Sequence, residues 1–240
     1  MAILVTRPDQ QGKALCQLLQ QHGHQALHHP LIRIEAGTDL ALLSSELVDY
    51  EVIVVASQHA VNWVERTLQA EHLSWPTAAI YVAIGQKTAQ VLSKACQQLV
   101  HYPEISDSEH LLALPALQSI VGKRVVIWRG NGGRELIYQT LHQRGANVDY
   151  REMYQRHPLP FDGAVALTRW QAANVDTLII TSGEQLAFFC SQLPLEAHAW
   201  TRKLRLLVPS QRIAEQAREL GFQHIVITGS AANRDLVAAV

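Results

Sequence analysis

Short apolar runs alternate along the chain with longer stretches in which apolar residues return every three or four positions. Runs such as Ile3-Leu4-Val5, Val52-Ile53-Val54-Val55 and Val125-Val126-Ile127 are short and largely β-branched, so they read as strands. The stretches after them read as amphipathic helices. The pattern predicts strands near 2–6, 25–34, 52–56, 79–84, 98–102, 124–128, 147–153, 177–181, 204–208 and 224–227, with short helices at 38–48 and 163–173 and a helix-like stretch at 234–240. Strands alternating with helices predict parallel sheets covered on both faces.

The pattern repeats, but out of order. Residues 3–34 align without a gap on 125–156, so that Arg7 falls on Arg129, Leu19 on Leu141 and Gly23 on Gly145, each glycine closing a helix in a left-handed cap. A second pair, offset by 125 positions, carries 52–61 onto 177–186, with Ser57 on Ser182, and 81–89 onto 206–214. One unit therefore runs continuously, while the other has its second part at the start of the chain and its first part at the end. This predicts two similar α/β domains, one inserted into the other: a split domain at 1–34 and 172–240, an inserted domain at 50–153, and linkers at 35–49 and 154–171. Two crossings between domains predict a hinged pair with a cleft.

Composition narrows the function. With 20 Lys and Arg against 21 Asp and Glu, no basic excess draws the chain to nucleic acid or an anionic membrane. No stretch reaches the roughly 18 apolar residues of a membrane span. The opening apolar run is too short for a signal peptide, and three scattered cysteines argue against a disulfide framework. A soluble cytoplasmic protein is expected. Any anionic ligand must be held by backbone amides and a few placed cations.

Those groups gather in the turns that follow strands, where helix N-termini present free N–H groups. They are Thr6-Arg7-Pro8, Ala56-Ser57-Gln58-His59, Ile84-Gly85-Gln86-Lys87-Thr88, Arg129-Gly130-Asn131-Gly132-Gly133-Arg134, Thr181-Ser182-Gly183-Glu184 and Pro209-Ser210-Gln211-Arg212. Arg7, Ser57, Gly85, Lys87, Thr88, Arg129, Gly130, Gly132, Ser182 and Ser210 are the candidate substrate-binding residues. The glycine-rich turn at 129–134 lacks the Gly-Lys-Ser/Thr ending of a phosphate loop, and Glu135 takes the third glycine position of the dinucleotide fingerprint. It remains a backbone nest for an anion. His22, His24, His28 and His29 lack a Cys or carboxylate at ligand spacing, so no metal site is expected. Tyr154 should stand at the hinge side of the cleft, where a neutral phenol can donate a proton.

The opening ILVTRP, the turns ASQHAV and AIGQKTA, RGNGGRE, EMYQR and TSGEQL together resemble the uroporphyrinogen-III synthase family over nearly the whole chain. The resemblance implies two α/β domains joined by a two-stranded ladder, Leu31–Glu35 against Tyr154–Pro158. It implies cofactor-free cyclisation of linear hydroxymethylbilane, with ring D inverted and water lost through a spiro-pyrrolenine, by a monomer to which the preceding pathway enzyme hands its product transiently. Arg7, Ser57, Thr88, Arg129, Gly130, Tyr154 and Ser182 match the family's motif positions, Tyr154 as the catalytic residue. Ala56 and His59 depart from it, standing where the family often has Thr and Asn, and Ile213 stands where the other repeat has Thr88. Two other readings stay open on the residues alone: a non-enzymatic hinged binder of a small polycarboxylate or other anion, and a nucleotide-dependent enzyme, which the missing phosphate fingerprint disfavours.

Overall fold

A computed structural model of the chain describes residues 2–240. They form eleven strands: β1 (Ala2–Val5), β2 (Gln25–His28), β3 (Ile32–Ala36), β4 (Val52–Val55), β5 (Ile80–Ala83), β6 (Val100–His101), β7 (Arg124–Gly130), β8 (Asn147–Pro158), β9 (Val175–Ile179), β10 (Arg205–Val208) and β11 (His224–Ile227). The chain divides into two compact units. One is Glu35–Arg156; the other is the chain up to Ile34 together with His157–Val240. Segment 35–49 lies within the inserted unit.

One sheet has the order β3-β8-β7-β4-β5-β6, with β4 to β7 wholly in the inserted unit, and the split unit holds β11-β10-β9-β1-β2. Every strand pair from β4 to β8 and within the split sheet is parallel. Taking each unit's strands in repeat order, both sheets read third, second, first, fourth, fifth. The two repeats thus build one topology twice, and each sheet reverses its order between its first and fourth strands, at β4/β7 and at β9/β1. The matched glycines behave alike: Gly23 and Gly145 close their helices with φ of +83° and +84°, a conformation that is costly for any residue with a Cβ.

Strand β3 is the addition that has no counterpart in the split sheet. The Gly37 N–H donates to Met153 O (3.1 Å) and the Leu159 N–H to Leu31 O (2.9 Å), so residue numbers fall on one strand as they rise on the other and the pair is antiparallel. The single strand expected at 25–34 is in fact two. Pro30 has no N–H to continue a ladder, and the chain breaks between β2 and β3 while His29 and Leu31 donate to Val5 O and Thr6 O. The helix expected at 38–48 is likewise a 3₁₀ turn, a four-residue α-helix and a second 3₁₀ turn, with Leu40, Leu43 and Leu47 buried.

Both faces of the split sheet are apolar, as a sheet covered by helices requires. Leu4, Leu178 and Leu206 pack with Trp170 and Phe189 on one side, and Ile3, Ile179 and Leu207 with Leu15, Leu19 and Leu236 on the other. In the inserted unit Val52, Val54, Val125 and Ile127 pack against Leu111, Leu117 and Leu141. These cores hold the strand ends, and hence the turns beyond them, in fixed positions.

Candidate functional site

Where a parallel sheet reverses its strand order, the helices after two neighbouring strands leave on opposite faces and open a crevice past the carboxyl ends. In the inserted unit that place lies beyond β4 and β7, and a cavity of about 210 Å³ occupies it. Ala56, Ile84, Ile127 and Ile137 form its apolar wall. Its polar wall comprises Ser108, Arg129, Arg134, Tyr150, Tyr154 and Arg156, with backbone from Gly130, Gly132 and Gly133.

A register change places Tyr154. Arg129 pairs with Glu152 and Gly130 with Tyr154, so Met153 is an extra residue in β8. Such a bulge bends the strand and re-aims the side chain that follows it. The phenol ring of Tyr154, 1% exposed, then lies directly over Gly130. A Cβ at that glycine would come within 2.6 Å of ring carbons Cε2 and Cζ, so only glycine leaves room. Asn131 locks the far side: its N–H donates to Tyr154 O (3.2 Å), its side-chain amide donates to Arg156 O (3.1 Å), and its side-chain oxygen accepts the Arg156 N–H (2.7 Å). Arg156 in turn donates from Nη2 to the Tyr154 hydroxyl oxygen at 2.7 Å. The His59 ring lies 5.3 Å from that of Tyr154.

Three arginines give the cavity its charge. Arg129, its side chain 12% exposed, donates to Glu135 Oε1 at 3.0 Å and lies 4.4 Å above the Tyr150 ring, a stacking that suits a weakly hydrated guanidinium. Burial pushes the Tyr150 phenol up to about 12, so it stays neutral beneath that cation. Arg134 forks onto both oxygens of Glu109 (2.6 and 3.1 Å) on the exposed rim. Arg156 has no carboxylate partner among the described residues. Arg156, the one of the three without a carboxylate, and the phenols of Tyr150 and Tyr154 give this cavity what it needs to hold an anionic ligand and deliver a hydrogen bond to it.

The other candidate residues fall into three groups. Ser57 caps helix Gln58–Ala70, its hydroxyl accepting the His59 N–H at 3.1 Å. Gly85, Lys87 and Thr88 open helix Gln86–Cys96, with Gly85 and Thr88 buried and Lys87 exposed; these four stand outside the walls of the cavity. In the split unit, Arg7 and Ser182 follow β1 and β9, the same switch point in the second copy of the topology. Ser182 caps helix Gly183–Ser191 by accepting the Gln185 N–H at 3.2 Å. Arg7 donates to Asn233 and to Gln11, its buried Nε has no partner, and burial lowers its pKa. Ser210 precedes helix Gln211–Glu219 without a side-chain cap bond.

Sequence reasoning did not select Ser108, Tyr150 or Arg156. Arg156 had a usable signal, since alternate residues of a strand share a face and it follows Tyr154 by two. Ser108 had none, because a short loop helix capped by Asp107 brings it to the wall. Among the described residues, no three His, Cys, Asp or Glu side chains converge to hold a metal ion, and no helix is long and apolar enough to cross a membrane.

A family model described as uroporphyrinogen-III synthase HemD matches residues 13–238. The chain is 43% identical to the uroporphyrinogen-III synthase of Escherichia coli K12 over 246 aligned positions that cover all of both chains. It is 41% identical to that of Proteus mirabilis over 74% of this chain and 92% of the relative. Among solved structures, a mutant uroporphyrinogen III synthase of the extremely thermophilic bacterium Thermus thermophilus superposes with a TM-score of 0.67 at 19% identity, covering 99% of this chain and 96% of that one. A Helicobacter pylori uroporphyrinogen-III synthetase gives 0.61 at 13% identity over the same shares. At those identities the structures speak for the fold, and the twice-built α/β topology is shared. The match over residues 13–238, and a full-length relative at 43% identity, carry the assignment beyond fold: the chain belongs to the uroporphyrinogen-III synthase family of tetrapyrrole-forming enzymes.

Proposed function

We propose that the chain is a cyclising hydro-lyase that converts linear hydroxymethylbilane into uroporphyrinogen III, with ring D inverted and one water lost. The observation that carries the proposal is Tyr154, a buried phenol re-aimed by the bulge into a cavity walled by Arg129 and Arg156. Departure of the substrate hydroxyl, aided by a hydrogen bond from Tyr154, leaves an electrophilic azafulvene that keeps its N–H proton and so carries a positive charge. Attack from the substituted carbon of ring D forms a spiro-pyrrolenine, and its fragmentation and reclosure invert that ring.

Orientation and fixed charge do most of this work, because the substrate already carries its reactive group and no cofactor is called for. Arg129, with the amides of Gly130 and Gly132, receives substrate carboxylates. Arg7, Ser57, Gly85, Lys87, Thr88, Ser182 and Ser210 serve the same purpose at the helix N-termini of their own turns. The enzyme acts as a cytoplasmic monomer and takes its unstable substrate by transient handover from the enzyme that makes it.

The test supplies hydroxymethylbilane, oxidises the products and separates the porphyrin isomers. Isomer III is expected in excess; isomer I alone, at the spontaneous rate, refutes the proposal. Tyr154→Phe is expected to slow turnover far more than it weakens product binding, and unchanged turnover removes Tyr154 from the mechanism.

A further inference from the structure

The hydrogen bond between Arg156 and Tyr154 can run only one way. A guanidinium has five N–H donors and no acceptor, so the 2.7 Å contact uses a lone pair of the phenol oxygen. The phenol's own proton is therefore turned away from Arg156. Among the described residues it has no acceptor. A buried hydroxyl ordinarily donates to some partner; Tyr154 is 1% exposed and lines the cavity, so its proton is available to a group bound there.

From this we infer that Arg156 is the positioning residue that makes Tyr154 a proton donor. The inference rests on the proposed hydroxymethylbilane reaction with Tyr154 as its acid. As the substrate's carbon–oxygen bond breaks, its electron pair leaves on oxygen. The Tyr154 proton joins that oxygen, water departs, and the phenolate formed lies within hydrogen-bond reach of a guanidinium that no carboxylate neutralises. When the macrocycle has closed and its last pyrrole regains aromaticity, the proton it sheds returns to the phenolate. Atoms and charge balance, with one water released per turnover.

Three features fit this role better than packing. Arg156 lines the cavity itself. The Asn131 side chain grips its backbone on both the N–H and the carbonyl side, which fixes the guanidinium's origin. The one-residue bulge at Met153 precedes both residues, so Tyr154 and Arg156 remain on the same strand face.

A double-mutant cycle on the full chain tests the inference, with kcat and KM measured for isomer III formation. Arg156→Met is expected to lower kcat about tenfold or more, as the loss of a charged hydrogen bond does, with little change in KM. Arg156→Lys, which keeps a cationic donor, should recover much of that loss. In a Tyr154→Phe background, Arg156→Met should have almost no further effect, because residues acting through one another are not additive. Multiplicative effects in the double variant overturn the inference while leaving Tyr154 as the acid. A rise in KM alone also overturns it, making Arg156 a carboxylate clamp. Wild-type turnover in Tyr154→Phe overturns the acid assignment and this inference with it. Arg156→Gln, neutral but still a donor, stands in if the methionine variant does not fold, with the same expectations in the Phe background.

Discussion

Gly130→Ala puts the proposed site to a sharp test, because it adds one methyl group at the point of closest approach to the phenol. The new Cβ would stand 2.6 Å from Cε2 and Cζ of Tyr154 and 3.0 Å from its hydroxyl oxygen. Carbon atoms rest at about 3.5–4.0 Å, so the ring has to retreat by about 1 Å. It is buried and held through its backbone by Asn131, so the misfit costs about 1–3 kcal/mol of stability, as overpacking does elsewhere. The same retreat draws the hydroxyl away from its 2.7 Å contact with Arg156. A displacement of about 1 Å at a reacting group is worth about 100-fold in rate. Turnover to isomer III is measured beside a urea denaturation midpoint, at a temperature where the variant is fully folded. A large loss of kcat in folded protein is expected. Wild-type turnover in a folded, mildly destabilised variant would show that the position of the Tyr154 ring does not matter to the reaction.

Two further outcomes follow from other parts of the molecule. Arg129→Ala should weaken binding of the carboxylate-bearing product by about 1.5–3 kcal/mol, as the loss of a charged hydrogen bond does; titration calorimetry would read this as a fall of one to two orders of magnitude, and unchanged affinity would return Arg129 to a stacking role over Tyr150. His29 is held neutral in the fold, its pKa lowered from 6.5 to about 4 by burial, with Arg169 and His28 adding to the effect. The unfolded chain then takes up more protons than the fold between these values, so stability present above pH 6.5 declines as pH falls towards 4. His29→Phe should flatten that decline and leave stability at pH 7 equal or higher, since the buried Nε2 has no partner to lose; an equally steep decline in the variant assigns the acid sensitivity to other groups.

Much of the architecture was legible because it is written twice. Two gapless offsets matched Gly23 with Gly145 and Ser57 with Ser182, and the structure uses both members of each pair alike, the glycines as left-handed helix ends and the serines as hydroxyl caps on the helices that follow. The structure adds that the strand order is repeated too. The break at Pro30 was visible in principle, but the apolar residues on both sides read as one continuous strand. Local sequence could not reveal the bulge at Met153, because it is set by the partner strand, where Gly130 admits the ring and Asn131 seizes the backbone. Tyr154 was therefore identifiable as a residue, while its aim, and the arginine bonded to its oxygen, were not.

The pairing of β1 with β9, which joins Ala2 to Val175, has a consequence for synthesis on the ribosome. Strands β1 and β2 are made before the other nine, yet the neighbour that completes their sheet is made roughly 150 residues later. At about 5–20 residues per second that is a wait on the order of 10 s. During it, every strand of the inserted unit from β4 to β8 is finished, while Ala2–Val5, fully buried in the end, has its ladder incomplete. A nascent chain of this protein thus matures from the middle outwards, and its first strands stay open to proteases and chaperones until its last third is made.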